Sequence, residues 1–505
     1  METNTKKRQP IVAIVGHIDH GKSTLLDYIR KTNVVAGEAG GITQHLSAYE
    51  IEHLSRADGK ETTEKITFLD TPGHAAFEKM RARGLEVADV AILVVSTEEG
   101  VKPQTLEAVK LIRQEKVPFV VALTKVDKPS ANLDRAKSSL IENEIYIEGM
   151  GGDIPFVAVS GKTGEGISEL LDLIVLSAEL EELSYDTSSP ALGTVIEANV
   201  DTRKGISATL IITEGMLQSG SYIVAKESIA PVRIMENFLG KPIKEAHAGQ
   251  PVRIIGFSSV PTVGGTFRAV ENKKQAEAAS EEVRRSAPKK QNSTYSAPDE
   301  ETARPIFPII IKADVVGTID AIDHEIEKIP SDRVELRVVQ SSVGAISEAD
   351  VKQVIGSKNP GIILGFNVKT DGSAKDLAER MGVTIMTFDI IYKLAQWLAE
   401  EVITRTPKTM VEEVIGRAKI LKVFSTSKAG VVLGGRVEEG EMKEGAQVKI
   451  ERRDVEVGRG HIGGLQSQKA PVKYVTSGTE FGALIETKDE PAPGDYLISF
   501  SMTEK

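Results

Sequence analysis

The feature that most constrains this chain is the run PIVAIVGHIDHGKSTLLDYIRK at residues 10–31. An apolar stretch leads into a glycine-containing turn and then into helical spacing, which predicts a buried strand, a loop and a helix. Gly16 to Ser23 fits the pattern G-x-x-x-x-G-K-[ST], whose backbone N–H groups surround a phosphate. We therefore expect a parallel sheet with a phosphate-binding loop at one end, because both flanking elements are of the required kind.

Length and composition narrow the class of protein. A chain of 505 residues predicts about three or four domains. The absence of cysteine excludes disulfides and thiolate metal sites, and the net charge of -11 argues against a broad basic nucleic-acid surface. Neither a signal peptide nor an apolar run of about 18 residues is present, so we expect a cytoplasmic protein with no membrane partner.

Changes of pattern along the chain predict a multidomain architecture, α/β plus β. Alternating strands and helices indicate α/β domains, and short strands with frequent turns indicate barrels. The predicted order is a flexible tail (1–9), a P-loop α/β domain (10–185), a β-barrel (186–271), a solvated helix and disordered linker (272–304), an α/β/α sandwich domain (305–388), a long connecting helix (389–409) and a C-terminal β-barrel (410–505).

The two predicted barrels share a spacing of glycines. In each, a turn glycine is followed by an apolar strand and then by Glu-Gly-(x)4-Gly. The matching sets are Gly205, Gly215, Gly220 and Gly430, Gly440, Gly445. Two barrels built on one plan is our interpretation, and a chance match of turn glycines is the alternative.

The residues around the phosphate loop suggest roles in nucleotide binding. Lys22 is placed to bridge β- and γ-phosphates, and Ser23 to hold Mg²⁺. Asp70 follows a predicted strand beside the loop and suits the Mg²⁺ shell through water. Gly73 offers a backbone N–H where a side chain would clash with the γ-phosphate.

Two further motifs follow later strands and indicate the base. In TKVD at 124–127, the carboxylate of Asp127 can accept two hydrogen bonds from guanine, and Lys125 can lie along the base. The SGK turn at 160–162 can donate a backbone N–H to the guanine O6. Alone, each motif is no more than a capping turn. In this order, each at the C-terminal end of a strand, they predict a guanine-nucleotide domain.

Together GHIDHGKS, AGGITQH, DTPGH, TKVD and SGK resemble the translational GTPases. GEAGGITQHLSAYEI and FLDTPGHAAFEKMRARG resemble the bacterial translation initiation factor 2 family in particular, and the resemblance covers about 10–505. It implies GTP or GDP with Mg²⁺ as ligands. It also implies that Thr43 completes the Mg²⁺ shell, that Asp19 helps to hold a monovalent cation, and that His74 orients the attacking water.

The resemblance further implies a ribosome-stimulated GTPase that is a monomer off the ribosome. Such a factor stabilises formylmethionyl initiator tRNA on the small subunit and promotes joining of the large one, whose sarcin–ricin loop settles His74. One alternative is an elongation-type GTPase that delivers aminoacyl-tRNA. The middle α/β domain and the AGGITQH motif argue against this alternative. Another is a regulatory module that scarcely hydrolyses GTP.

The chain departs from the family pattern in several places. Thr124 replaces the usual Asn of the guanine motif, and its hydroxyl can still tie loops together, so we expect altered affinity rather than lost specificity. Gly435 and Phe481 stand where relatives often carry cysteine, and Gln466 and Ser467 where they often carry a basic pair. The sequence begins almost at the G domain, so a short form lacking the N-terminal extension is expected.

These arguments give three groups of candidate residues. The nucleotide-binding group is Gly16, His17, Ile18, Asp19, His20, Gly21, Lys22, Ser23, Thr24, Asp70, Gly73, Thr124, Lys125, Asp127, Ser160, Gly161 and Lys162. The metal group is Ser23, Thr43 and Asp70, and His74 is the catalytic candidate. The candidate tRNA contacts are Gly435, Arg436, Lys469, Phe481 and Gly482, with plain barrel packing as the alternative.

Overall fold

The computed structural model of the chain describes residues 4–31, 42–57, 60–201, 203–286, 306–330, 334–355, 361–406, 410–427 and 430–504. The chain divides into two compact units, Met1–Thr404 and Arg405–Lys505. The predicted linker over 287–304 lies outside the described residues. Among the helices of the described residues, none is both long and apolar enough to cross a membrane.

The first sheet follows the predicted α/β pattern. Its strands are β2 (Ile11–Gly16), β3 (Ser47–Ala57), β4 (Lys60–Asp70), β5 (Val90–Ser96), β6 (Phe119–Thr124) and β7 (Phe156–Ala158), in the order β3-β4-β2-β5-β6-β7. All neighbours are parallel except β3, which is antiparallel to β4 and was not among the predicted strands. The loops after the parallel strands therefore meet at one edge.

Helices cover both faces of this sheet because successive strand residues point to opposite sides. They are α1 (Lys22–Arg30), α2 (Glu78–Val87), α3 (Pro103–Glu115), α4 (Leu133–Glu142) and α5 (Ile167–Leu180), with a 3₁₀ turn at Ala75–Phe77. On β2, Ile11 and Ala13 join the core that includes α2 and α3 residues, whereas Val12 and Ile14 join the core with α1 and α5 residues.

The predicted tail is wrong for the described residues 5–9. β1 (Thr5–Lys7) pairs antiparallel with β8 (Ser184–Asp186). The Arg8 guanidinium donates to the Asp89 carboxylate at 2.9 Å, and both side chains are largely buried. The polar composition concealed this strand because its pairing uses backbone groups rather than apolar side chains.

The chain continues into a β-barrel, which is followed by a helix. The strands of the barrel are β9 (Leu192–Asp201), β10 (Gly205–Glu214), β11 (Met216–Gln218), β12 (Tyr222–Ala225), β13 (Ser228–Pro231), β14 (Ile234–Glu236), β15 (Glu245–His247), β16 (Pro251–Ile255) and β17 (Thr266–Val270). Seven of them form one antiparallel sheet around a shared core, and β11 pairs with β15. Helix α6 (Lys273–Ser286) confirms the predicted helix, and Ala276 and Ala279 pack it against β12.

The next domain is an α/β/α sandwich, as predicted. Its parallel strands β18 (Ile306–Ala313), β19 (Glu335–Val343), β20 (Ile362–Phe366) and β21 (Thr384–Phe388) lie in the order β19-β18-β20-β21. Its helices are α7 (Val316–Glu327), α8 (Glu348–Val354), α9 (Gly372–Met381) and α10 (Ile391–Arg405). Ile309 and Ile311 share a core with α7 and α10 residues, whereas Ile310 shares one with α8 and α9 residues.

The second unit is a closed barrel. Its strands are β22 (Met410–Ser427), β23 (Gly430–Lys443), β24 (Gln447–Arg452), β25 (Val455–Ser467), β26 (Ala470–Pro471), β27 (Tyr474–Thr476), β28 (Glu480–Thr487) and β29 (Tyr496–Glu504). The path β22-β29-β24-β25-β28-β23 closes because β22 also pairs with β23. The predicted C-terminal barrel is therefore confirmed.

The glycines shared by the two barrels have a common geometry. All six have positive φ: Gly205 80°, Gly215 72°, Gly220 99°, Gly430 138°, Gly440 68° and Gly445 82°. The first glycine of each set begins the second strand of a hairpin, β10 in one barrel and β23 in the other. Residues with a β-carbon rarely adopt positive φ, so the shared spacing reflects shared turns.

Candidate functional site

The predicted nucleotide motifs meet at the carboxyl edge of the first sheet. Together these motifs line a cavity of about 390 Å³. It is lined by Ile18, Asp19, Gly21, Lys22, Ser23, Thr24, Ile42, Thr43, Gly73, His74, Thr124, Lys125, Asp127, Lys128, Gly161 and Lys162. Only Ile42 and Lys128 of this lining were not candidates. Ligands of open α/β sheets bind at this edge, which makes the cavity the candidate site.

Five nucleotide-group candidates lie behind the lining rather than in it: Gly16, His17, His20, Asp70 and Ser160. Their contacts place them as supports. The Ser160 hydroxyl donates to the Asp127 carboxylate at 2.7 Å and accepts from the Lys162 N–H at 3.2 Å. The buried Asp70 carboxylate ends β4 and lies 4.0 Å from the guanidinium of Arg30.

Lys22 begins α1 and points back into the phosphate loop. Its ammonium donates to the backbone carbonyls of Gly16 at 2.9 Å and His17 at 2.6 Å. Burial lowers the pKa of Lys22 to about 8, because the charged form loses hydration. The helix N-terminus and this ammonium together make the floor of the cavity favourable for an anion.

The loop after β4 approaches Lys22 closely. A β-carbon on Gly73 would lie 2.4 Å from the Lys22 ammonium nitrogen and 3.2 Å from the Ile18 backbone nitrogen, so a side chain there would displace the Lys22 ammonium. Arg81, which sequence reasoning missed, holds this loop from behind. Its buried guanidinium donates to the carbonyls of Pro72, at 3.0 Å, and His74, and it pairs with Glu107. The sequence carried no specific signal for this role, because the burial of Arg81 depends on its packing against the DTPGH loop and Glu107.

Two of the three candidate metal residues, Ser23 and Thr43, meet at one side of the cavity, and the third, Asp70, lies behind its lining. The hydroxyl oxygens of Ser23 and Thr43 lie 2.8 Å apart. Asp70 lies on β4, next to the strand β2 that leads into the phosphate loop. Hydroxyl and carboxylate oxygens are the donors that Mg²⁺ prefers, so this set fits that ion and offers no nitrogen or sulfur ligand.

The Thr124 hydroxyl connects the end of β6 to the phosphate loop. It donates to the backbone carbonyl of His20 in the phosphate loop, and more weakly to that of Val95 at 3.4 Å. Nearby, Lys125 has φ 64° and its ammonium lies 3.3 Å from the Glu98 carboxylate. The substitution of Thr for Asn therefore keeps a hydrogen bond from strand β6 to the phosphate loop.

His74 lies at the edge of the cavity and is largely buried. Its Nδ1 accepts the backbone N–H of Ala76 at 2.8 Å, which caps the 3₁₀ turn. Its ring meets Tyr392 edge-on, with centroids 4.1 Å apart. Burial lowers the pKa of His74 to about 4, so the imidazole is neutral at physiological pH. The accepting Nδ1 then places the ring hydrogen on Nε2.

The tRNA candidates divide between the two faces of the C-terminal barrel. Gly435 and Phe481 are paired on β23 and β28 and are buried, with Phe481 5% exposed in the core. A β-carbon on Gly435 would lie 3.0 Å from the Phe481 ring, which fills the space that glycine leaves. Their prediction as tRNA contacts is corrected: both are packing residues. Arg436 and Lys469 are exposed.

Comparison with known proteins identifies the family. Three family models match successive parts of the chain: the elongation factor Tu GTP binding domain (residues 7–179), elongation factor G domain 2 (190–270) and translation-initiation factor 2 (280–398). Translation initiation factor IF-2 of Rubrobacter xylanophilus is 39% identical and covers 99% of this chain, which in turn covers 72% of that protein. The chain belongs to the translation initiation factor IF-2 family.

Two further IF-2 proteins have similar sequence identity to this chain but differ in total length, and one solved structure is also similar to it. IF-2 of Bacillus pumilus is 40% identical, with 100% of this chain and 71% of that protein covered. The chain spans 58% of the length of IF-2 from Rhizorhabdus wittichii, at 38% identity. The crystal structure of GDP-bound aIF5B from Aeropyrum pernix is 27% identical, covers 98% of this chain and 92% of that one, and has a TM-score of 0.48.

Membership of the IF-2 family bears on the choice between an initiation factor and an elongation-type GTPase. Elongation-factor models match the first two domains, but the relatives reported over the full chain are initiation factors. The elongation-type alternative is therefore not supported. The first domain of this IF-2 family member is a GTPase domain.

Proposed function

We propose that this chain is a translation initiation factor that binds GTP in the 390 Å³ cavity and hydrolyses it on the ribosome. The observation that carries the proposal is the meeting of the phosphate loop, Thr43, the DTPGH loop, TKVD and SGK around one cavity. Its product is GDP with phosphate. Membership of the IF-2 family supports the initiation role.

Each end of the cavity has a task in this proposal. At the phosphate end Lys22 exchanges its bonds to the Gly16 and His17 carbonyls for bonds to the β- and γ-phosphates. At the base end the carboxylate of Asp127, held by Ser160, accepts from guanine N1–H and the exocyclic amine. Lys125 lies along the base, and the backbone at Gly161 and Lys162 donates to O6.

Ser23 and Thr43 would hold Mg²⁺ directly, and Asp70 through water. When bound, this ion would neutralise charge on the β- and γ-phosphate oxygens. Asp19, which lines the cavity, is the residue we assign to a monovalent cation at the phosphates. GTP would order the segments that carry Thr43 and His74, and hydrolysis would release them.

His74 is the residue that we assign to the attacking water. Phosphoryl transfer depends mainly on positioning and electrostatics, so the neutral imidazole acts by orienting the water rather than as a bulk base. The sarcin–ricin loop of the large subunit would fix the ring in place. Turnover is then low off the ribosome and high on it.

The C-terminal barrel is the part that we assign to formylmethionyl initiator tRNA. Arg436, Lys469 and Gly482 remain as contacts after the correction of Gly435 and Phe481. Binding of fragment 411–505 to formylated and unformylated initiator tRNA tests this part. Equal affinities would remove the formyl-specific role and leave the GTPase proposal standing.

His74→Ala tests the GTPase proposal. Ribosome-stimulated turnover should fall about 100-fold or more with GTP affinity kept, because a positioned water is lost. His461→Ala, a partly exposed histidine of the second unit, is the matched control. Stimulated turnover at the wild-type rate would contradict the assignment, and turnover near zero in the wild type would favour the regulatory alternative.

A further inference from the structure

The start of α10 contacts both segments that the GTPase proposal assigns to the γ-phosphate. Gln44, next to Thr43, has a buried side-chain amide that hydrogen-bonds to two backbone groups at the N-terminus of α10. Its Nε2 donates to the Asp389 carbonyl at 2.9 Å, and its Oε1 accepts the Ile391 N–H at 3.2 Å. These bonds satisfy a backbone donor that an α-helix leaves free at its first turn.

Tyr392 contacts the second segment. Its ring meets the His74 ring edge-on, with the centroids 4.1 Å apart. Tyr392 is 47% exposed, and α10 packs through a different set of side chains, which includes Leu394 and Leu398. The phenol is therefore not required to dock the helix, and its main aromatic partner in the described residues is His74.

The present orientation of His74 is wrong for activating a water. To orient a nucleophilic water, a ring nitrogen should accept one of its hydrogens and leave an oxygen lone pair facing the phosphorus. Here Nδ1 accepts from Ala76, so the neutral ring presents an Nε2–H donor instead. Activation thus requires the ring to leave the Ala76 bond, and the Tyr392 contact opposes that movement.

We propose that Tyr392 is a positioning residue that holds His74 in an inactive orientation until the ribosome releases it. This inference rests on the assignment of His74 in the proposed function. Through Tyr392 and Gln44, the start of α10 contacts both segments, so movement of α10 changes the state of His74. The partner in this regulation is the chain's own helix.

Tyr392→Ala tests the proposal in the full-length protein. An aromatic pair of this kind shifts an equilibrium by about 2- to 10-fold, so kcat of GTP hydrolysis without ribosomes should rise by that factor. KM for GTP should stay within about twofold of wild type. Tyr392→Phe keeps the ring and should restore the wild-type rate. Gln396→Ala, one turn along α10 and exposed, is the matched control and should change neither constant.

A spectroscopic signal separates positioning from a general loss of structure. The Cε1–Hε1 NMR signal that disappears in His74→Ala should shift in Tyr392→Ala, because the Tyr392 ring current is lost, and should stay in place in Gln396→Ala. An unchanged or lower unstimulated kcat with an unchanged His74 signal would overturn the proposal. A shifted signal with an unchanged kcat would also overturn it.

The double variant distinguishes failure of this inference from failure of the proposed function. If His74 orients the water, the gain from Tyr392→Ala should vanish in Tyr392→Ala/His74→Ala. Stimulated turnover that survives His74→Ala would reject the assignment of His74 in the proposed function, on which this inference rests. Turnover that requires His74, together with a Tyr392→Ala rate equal to wild type, would reject only the holding role of Tyr392.

Discussion

In both the nucleotide cavity and the C-terminal barrel, site residues were predicted from the sequence, but the structure groups them in the cavity and separates them in the barrel. In the cavity, motif order alone brought 14 of the 16 lining residues together, because each motif follows a parallel strand and such strands end at one edge. In the barrel, neighbouring candidates such as Gly435 and Arg436 separated into core and surface. A site made of strand-end loops tolerates an error of one residue, whereas a site on a strand face does not.

The base end of the cavity gives the largest expected effect. Asp127→Asn should lower GTP affinity by about 1,000-fold or more and raise affinity for xanthosine nucleotides, because the carboxylate pair of acceptors is lost. Competition binding with both nucleotides measures the change. Asp134→Asn, an exposed aspartate at the first turn of α4, is the control. An unchanged preference for GTP would break the assignment of the cavity.

The barrel correction predicts a loss of stability rather than of tRNA binding surface. Phe481→Ala should lower the unfolding free energy of the second unit by about 3–5 kcal/mol, since it opens a cavity in that core. Arg436→Ala should change that stability by no more than about 0.5 kcal/mol while weakening tRNA binding. Denaturant unfolding and tRNA titration measure the two effects. The reverse pattern would restore Phe481 as a surface contact.

The two units should also differ in their response to acid. Burial lowers the pKa values of His20 and His74 to about 4, mainly by desolvation. Between pH 6.5 and pH 4 the unfolded chain therefore binds more protons than the folded one, so stability falls as pH falls. From pH 7 to pH 5, His20 and His74 should each cost the first unit about 2 kcal/mol of unfolding free energy, because their pKa values are lowered equally.

Calorimetry of the full chain at pH 7 and pH 5 measures this difference. The second unit carries a single histidine, His461, which is 46% exposed, so its transition should move less. Its paired carboxylates, such as Asp495, have lowered pKa values and matter only at lower pH. Equal shifts of both transitions would show that buried histidines do not set the acid response.

The smallest expected effect concerns the hydrogen bond from the Thr124 hydroxyl to the phosphate loop. Thr124→Val removes the hydroxyl and leaves the His20 carbonyl without that donor, which should weaken GTP binding about tenfold. Thr124→Asn should retain affinity, because an amide can donate to the same carbonyl. Thr163→Val, on the exposed SGK turn, is the control. Wild-type affinity in Thr124→Val would mean that the hydroxyl does not support the cavity.

Much of the fold followed from local pattern, and the exceptions have physical causes. The strands β2, β5 and β6 were predictable because apolar runs between helices are buried on both sides. β3 was not predicted as a strand because this edge strand lacks the continuous apolar run that marks the buried strands, although Glu50 and Glu52 alternate with apolar residues as in a half-buried strand. β1 was missed because backbone pairing with β8 leaves no apolar signature.

Local sequence patterns were enough to predict the order of domains, the phosphate loop and the cluster of residues that line the cavity. These follow from local spacing and from the rule that parallel strands end together. Tertiary structure decided the rest: the buried Arg81 behind the DTPGH loop, the inward turn of Phe481, and the contact of His74 with Tyr392. Partners 318 residues apart in the chain leave no local pattern, because only packing of α10 brings them within contact distance.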